Sequence, residues 1–534
     1  MNHPGAVATP HRTATGAAES VLADGGNAVD AALAAAAVLT VVYPHQCAIG
    51  GDAFALVGGP DHEPVVVNGS GRSARGWRRA DHLDAGGQVP VTGARSVTVP
   101  GVLDLWQQLA DRWGSRPLGA ALLAAAGIAA EGFAVAPGLR RGLEHEADAL
   151  AADPGARELF LPGGELLRTG QHVPLPRLAD SLRTLAAEGT GAFYAGALGA
   201  SVVATLRAGG SALDAEDFAA HTSSLSAPLG ARFAGEEYLS SGGNSQGRFF
   251  LRGLVALEVI RQRRVRVPDA LGAEAAPVGR VLALCAAERD RLLGDPGFSP
   301  DHGDHGEVGD VGEVSDLVEA ALGSTPIHRL LSTRADGRPP HIPARASGDT
   351  VAIVTTDGEG RWVSLIQSVF HTFGSGVVDP ETGILLHNRG ACFSGVAGSP
   401  NEIGPGRRPA HTLMPVLVRR DGRLVGAHGT RGGRAQPQIH THLALNLAAG
   451  LTAGEAVARP RWIVGRLTAG ARPGEDGFGI AVEQGAGDAA ADGLRAAGFH
   501  TTALAALDDA AGHLQVVRET PDGPRAASDP RADG

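Results

Sequence analysis

The chain reads as an α+β protein, and two observations carry that reading. Alanine- and leucine-rich stretches with helical periodicity occupy residues 16–42, 100–220 and 436–451. Short β-branched runs come in pairs closed by tight turns, at 53–68 and 350–368, and such pairs build antiparallel sheet.

In chain order, the helical pattern of 16–42 is interrupted at Gly25-Gly26. Its second part, Ala31 to Val42, is apolar but too short to span a bilayer, which predicts a buried helix. Residues 53–57 and 64–68 read as strands around a turn at Gly58-Gly59-Pro60-Asp61. Pro100 to about Ala220 forms a helical subdomain, and 226–260 returns to a short strand, a Gly-rich turn and a helix. Residues 297–316 are rich in Asp, Gly, His and Glu; His302 and His305 lie among carboxylates, but nothing apolar would fix them as ligands. A solvated acidic loop is expected there, and no metal or other cofactor is assigned. Residues 333–349 form a Pro/Gly/Arg-rich connector able to move once cut. Strands at 350–357 and 361–368 flank Asp357-Gly358-Glu359-Gly360, and counting from that turn puts Thr350 close to opposite Ser368. Residues 384–386, 414–418 and 424–428 read as further strands, and the polar tail from Thr520 to Gly534 as a surface cap.

Composition excludes several classes. Over 534 residues, 43% apolar content supports a large core. The net charge is −11 and all 46 basic residues are arginine, with no basic run interleaved with aromatics, so no nucleic-acid partner is expected. Three cysteines, at 47, 285 and 392, have no metal-ligand spacing and make no disulfide framework. That fits a reducing compartment. Met1 to Thr15 is polar without an apolar core, so a cytoplasmic protein without a membrane partner is expected.

Chemistry concentrates at Gly348-Asp349-Thr350, where a turn-prone pair meets a threonine that opens a β-rich run. A threonine hydroxyl is a poor nucleophile unless a base stands beside it, and a free α-amino group, with a pKa of about 7.7–8.0, supplies one on the same residue. Thr350 gains such a group only if the bond after Asp349 is cut. By itself the segment reads more readily as a turn before a strand.

The wider sequence resembles the γ-glutamyltransferase family of self-processing N-terminal-nucleophile hydrolases. The resemblance runs in order from Asp24-Gly25-Gly26-Asn27 through Ile49-Gly50-Gly51-Asp52-Ala53-Phe54, Val99-Pro100-Gly101 and Asp214-Ala215-Glu216-Asp217-Phe218. After the threonine it continues through Phe373-Gly374-Ser375-Gly376, His387-Asn388, Gly432-Gly433, Pro460-Arg461-Trp462 and Ser528-Asp529-Pro530-Arg531. It implies a four-layer αββα sandwich, with two antiparallel sheets between helical layers. It also implies cutting between Asp349 and Thr350 into a large segment, 1–349, and a small one, 350–534. The two would stay together as one structural unit, a heterodimer acting on a small molecule; a dimer of these is left open.

By the same resemblance Thr350 is the nucleophile and Ser368 its hydroxyl helper, against an ordinary strand serine. Gly432 and Gly433 present oxyanion-hole amides, against a simple turn. His411 and Thr412 fall where the family has paired serines. Other positions depart from the family. Where an arginine holds the substrate carboxylate, this chain has Asn68 and, slightly later, Arg72. Where an aspartate and amides hold the ammonium group, it has Cys392, Phe370 and Arg389.

An arginine there repels a cation and can fork onto a carboxylate. Arg389 is therefore expected as a carboxylate clamp, with Arg72 or Arg461 as helpers. This pattern resembles the oxamate amidohydrolase branch, and related actinobacterial alkylproline-pathway enzymes that hydrolyse a C–C bond to release an oxalyl unit. The expected activity is hydrolysis of a small anionic acyl substrate. The alternatives are an ordinary γ-glutamyl hydrolase and an uncut, non-catalytic binding homologue.

Overall fold

The computed structural model describes residues 5–84, 86–272, 274–298, 311–334, 349–466 and 478–533. The expected helix 16–42 is two helices, Arg12–Ala23 and Ala28–Val42, broken where Gly25 takes φ 80°. Asn27 caps the second, its side chain accepting from the amides of Val29 and Asp30 at 2.9 and 3.0 Å. Such a cap is worth about 1 kcal/mol. Every residue of Ala28–Val42 is buried, because small alanines let neighbouring helices and a sheet approach on all sides.

The first six-stranded sheet runs Ala6–Ala8, Asp349–Thr356, Trp362–Phe370, Asp52–Gly59, His62–Asn68 and Ser224–Ser226 from edge to edge. The second runs Arg525–Ser528, Leu514–Arg518, Arg423–Thr430, Val416–Arg420, Glu236–Ser240 and Leu229–Phe233. All pairings in both are antiparallel. Phe54, Leu56, Ala352, Val354 and Ile366 meet Leu239, Leu417, Ala427 and Val517 between the sheets. The intervening Ala53, Ala55, Val351, Ile353, Val363 and Leu365 face the helices of the N-terminal half, including Ala28–Val42 and Leu118–Glu131. Helices Gly247–Arg264 and Gln436–Ala448 cover the second sheet, and Ala275–Leu292 packs against the first of them. This is the αββα sandwich.

Strand alternation fixes what points where. Asp52, Thr350 and Ser368 share parity with Phe54, Ala352 and Ile366, so all three project into the space between the sheets.

Several expectations change. Residues 226–260 hold a hairpin, not one strand, because Ala234 and Gly235 take φ 50° and 85° and turn Leu229–Phe233 into Glu236–Ser240. Residues 384–386 make only isolated bridges, Leu385 to Val378 and Leu386 to Gly50, since Gly383 at φ 70° turns the chain just before them. The tail is no cap: Arg525–Ser528 edges the second sheet, and Asp529 and Arg531 are buried in ion pairs with Arg461 and Glu483. Helix Val311–Leu322 begins inside the stretch expected as a loop, while His302, His305 and most of the 333–349 connector lie outside the described residues. The strands Trp462–Arg466, Phe478–Glu483 and His500–Leu504 form a small sheet that strand patterning missed. Cys47, Cys285 and Cys392 are free and buried. Among the described residues no single helix is long and apolar enough to cross a membrane.

Candidate active site

Ser368 lies directly opposite Thr350 on one side and opposite Asp52 on the other. Beyond Ser368 the register shifts, so that Phe370, at φ 79°, pairs with Asp349. A bulge at this point re-aims the side chains at the strand ends.

The chain is continuous through Asp349-Thr350. Thr350 Oγ1 donates to Ser368 Oγ at 3.2 Å, and Ser368 Oγ donates to the Asp349 carbonyl oxygen at 2.5 Å. The Phe370 amide donates to the same Ser368 oxygen at 2.8 Å. Ser368 thus gives its proton to the Asp349 carbonyl and a lone pair to the Thr350 hydroxyl. An attack of Thr350 Oγ1 on the Asp349 carbonyl carbon could pass its proton to Ser368 while the Ser368 proton meets the forming oxyanion. Breaking of the C–N bond, with that proton passed on to the nitrogen, would then leave an ester and a free Thr350 amine, and water would open the ester. Thr350 and Ser368 are both buried, which strengthens these contacts.

The Asp349 side chain is held as firmly. Arg431 Nε and Nη2 donate to its Oδ1 at 3.0 and 2.8 Å, and Thr372 Oγ1 donates to its Oδ2. Arg431 also pairs with Asp509 at 2.6 Å. Burial opposes the arginine charge, but Asp349 and Asp509 outweigh it and raise the Arg431 pKa. Gly432 and Gly433 follow Arg431 directly, at φ 149° and 52°, in the region that favours glycine. They lead into helix Gln436–Ala448, whose N-terminal amides and dipole favour negative charge. Gln246 Nε2 donates to the carbonyls of Thr412 and Gly433 at 2.6 and 2.8 Å and ties the two loops together.

The expected pocket residues gather around an acid that sequence reading passed over. Asp52 is fully buried and takes Arg389 Nε at 2.8 Å, Arg389 Nη2 at 3.1 Å and His411 Nε2 at 2.8 Å. Burial alone would push its carboxyl up, but Arg389 and His411 overcome this and hold it well below the usual carboxylate range.

Arg389 is therefore no open clamp. Its fork is filled by Asp52, its Nη1 donates to Thr412 Oγ1 at 3.1 Å and contacts Cys392 Sγ, and its guanidinium lies 4.5 Å from the centre of the Phe370 ring. Replacing Asp52 with Asn keeps the shape but removes the charge facing a buried arginine. Chemical denaturation is expected to show a loss of about 1.5–3 kcal/mol. An unchanged midpoint would mean that the Asp52–Arg389 pair carries no net stability.

Burial, with Arg389 nearby, lowers His411 to about 4, so it is neutral at pH 7. The Leu413 amide donates to its Nδ1 at 3.2 Å, which leaves Nε2 carrying the proton given to Asp52. Burial likewise lowers His371 to about 4 and His440 and His442 to about 3. The unfolded chain binds protons at these sites from about pH 6.5 downward, before the folded chain does, so stability falls as pH drops from about 6.5 toward 4. Asp52, depressed in the folded state, does not lose its contribution until the pH falls below about 3.9. Thermal unfolding at pH 7 and pH 5 should show a lower midpoint at pH 5. Equal midpoints would contradict burial of these rings in neutral form.

The remaining expected residues lie elsewhere. Arg461 is fully buried against Asp529 at 2.5 Å and the Gly512 carbonyl at 3.1 Å, within the tail cluster, and helps no substrate pocket. Asn68 donates to Asn244 Oδ1 at 2.9 Å and accepts from the Ser70 amide at 2.9 Å. It lines a cavity of about 700 Å³ with Arg72, Arg408, Phe54, Asn244 and Phe249. Arg72 is half exposed there and bonds Asp295 and the Gly406 carbonyl. Phe54 packs on the His411 ring with centroids 4.7 Å apart, so the cavity abuts the Asp52 cluster, although Thr350 does not line it. Among the described residues no group of three or more His, Cys, Asp or Glu could hold a metal.

A buried threonine hydroxyl at a strand start inside an αββα sandwich, with a serine hydroxyl opposite it and a glycine pair nearby, is the arrangement expected of an N-terminal-nucleophile hydrolase. A model of the gamma-glutamyltranspeptidase family matches residues 14–534. The chain is 32% identical over 542 residues to the glutathione hydrolase-like YwrD proenzyme of Bacillus subtilis, covering 99% of this chain and 97% of that one. It is 31% identical over 552 residues to the oxamate amidohydrolase proenzyme of Klebsiella pneumoniae, again covering 99% and 97%. Its structure is similar to cephalosporin acylase from Bacillus halodurans, with TM-score 0.83, 28% identity and coverage of 99% and 95%. The chain belongs to the gamma-glutamyltranspeptidase family.

Proposed function

We propose that the chain cuts itself between Asp349 and Thr350, and that the resulting heterodimer hydrolyses amides of a small acyl group carrying its own carboxylate. An oxalyl unit, as in oxamate, is the smallest such group, and a C–C bond beside an oxalyl carbonyl is open to the same attack. The observation that carries self-cutting is the Ser368 hydroxyl, hydrogen-bonded at once to the Thr350 hydroxyl and the Asp349 carbonyl. After cutting, the Thr350 amine takes over as base, Gly432 and Gly433 supply oxyanion donors, and Ser368 stays beside the nucleophile. The first sheet contains strands from both sides of the cut, interleaved, which supports two fragments remaining one unit. Similarity to an oxamate amidohydrolase supports the acyl class.

γ-Glutamyl substrates should be poor. Their ammonium group needs a free carboxylate, and the acid here, Asp52, is already held by Arg389 and His411. Losing a charge-assisted contact costs about 1.5–3 kcal/mol, which is about ten- to a hundredfold in rate. Kinetics with γ-glutamyl-p-nitroanilide beside carboxylated acyl amides, oxamate included, and an oxalyl-bearing C–C substrate test this. Efficient γ-glutamyl turnover would restore an ordinary γ-glutamyl hydrolase.

A further inference from the structure

Asp349 is the one acyl group whose fit against Thr350 the structure displays. In the cutting step the attacked carbonyl is its own, and its side-chain carboxylate is already bound. Both Asp349 oxygens are engaged, one by the Nε–Nη2 edge of Arg431 and the other by the Thr372 hydroxyl. Arg431 is anchored independently: its Nη1 pairs with Asp509 at 2.6 Å and lies 3.4 Å from His513 Nε2, and its amide donates to the His513 carbonyl at 3.0 Å. Removing Asp349 therefore leaves Arg431 charged and in place, with its other edge and the Thr372 hydroxyl aimed at a buried space. Buried donors without an acceptor are costly, and a guanidinium edge beside a hydroxyl suits a carboxylate.

We propose that in the cut enzyme this Arg431–Thr372 place receives the distal carboxylate of the substrate acyl group. Its acyl donors are then monoamides of short dicarboxylic acids, with the carboxylate as far from the attacked carbonyl as the Asp349 carboxylate is from its own. That is a succinyl-length unit, longer than oxalyl. Thr350 Oγ1 forms the ester, ammonia or an amine leaves with a proton, and water releases the diacid. The inference rests on the reading of Thr350 as nucleophile and deepens it by fixing acyl length. It also moves the anion site from Arg389, whose fork is filled, to Arg431.

Ammonia release by the wild-type enzyme from oxamate, malonamate, succinamate, glutaramate and uncharged butyramide tests it. kcat/KM should peak at succinamate, about ten- to a hundredfold above oxamate and butyramide, the scale of one charge-assisted contact. Succinate should inhibit better than oxalate. In the cut fraction of Arg431→Gln, the preference for succinamate over butyramide should collapse. If that variant stays uncut, the wild-type length series decides alone. A flat series, or a peak at oxamate, overturns the inference and leaves the nucleophile standing. A wild-type protein that is uncut and inert on every amide overturns both.

Discussion

Thr350→Ala is expected to remain a single uncut chain and to show no measurable turnover. On the proposed mechanism the substitution removes the atom that attacks Asp349 and, with it, the route to a free amine at residue 350. Both the processing step and the later acyl transfer then fail. Loss of a catalytic nucleophile costs about a millionfold in kcat in a well-studied serine protease. The fold should persist, because Ala352, Val354 and Ile366 hold the strand between the sheets without the Thr350 side chain. Thr350→Ser keeps a hydroxyl facing Ser368 and should still cut, more slowly. A gel of the two variants beside wild type, with ammonia release from the same samples, reads the outcome. Turnover by uncut Thr350→Ala would end the account of Thr350 as nucleophile.

Gly433→Val should fold but lose turnover by about a hundred- to a thousandfold, the cost of one oxyanion donor elsewhere. Gly433 sits at φ 52°, where a β-branched residue is strained, so the peptide must rotate and carry its amide away from the developing charge. Gln246 grips the Gly433 carbonyl, which limits the rearrangement to the glycine pair and its immediate neighbours. A melting curve separates misfolding from lost catalysis. Wild-type turnover in a folded Gly433→Val protein would remove the pair from the mechanism.

The parts of this site that could be read from sequence were those set by local rules. Strand pairing counted back from Asp357-Gly358-Glu359-Gly360 puts Thr350 within a residue or so of Ser368, and the two are directly paired. The glycine pair came from the family resemblance, and its φ of 149° and 52° lies where glycine is favoured. What was missed depends on contacts between distant segments. Asp52 and Arg389 are 337 positions apart, and nothing local to Arg389 indicates that its fork is filled. The available signal was an acid opening a strand, Asp52-Ala53-Phe54-Ala55-Leu56-Val57, that is otherwise apolar. A buried charge of that kind requires a buried partner. Arg431, immediately before Gly432, carried a similar signal. The tail looked polar because its charges are paired inside the protein, Asp529 with Arg461 and Arg531, and Arg531 with Glu483, all four side chains fully buried.

The most direct measurement of the central claim is the intact mass and N-terminal sequence of the wild-type protein after purification. The account predicts two fragments that copurify, one ending at Asp349 and one beginning with Thr350-Val351-Ala352. An active, uncut polypeptide of 534 residues, or a cut at any other bond, would contradict it.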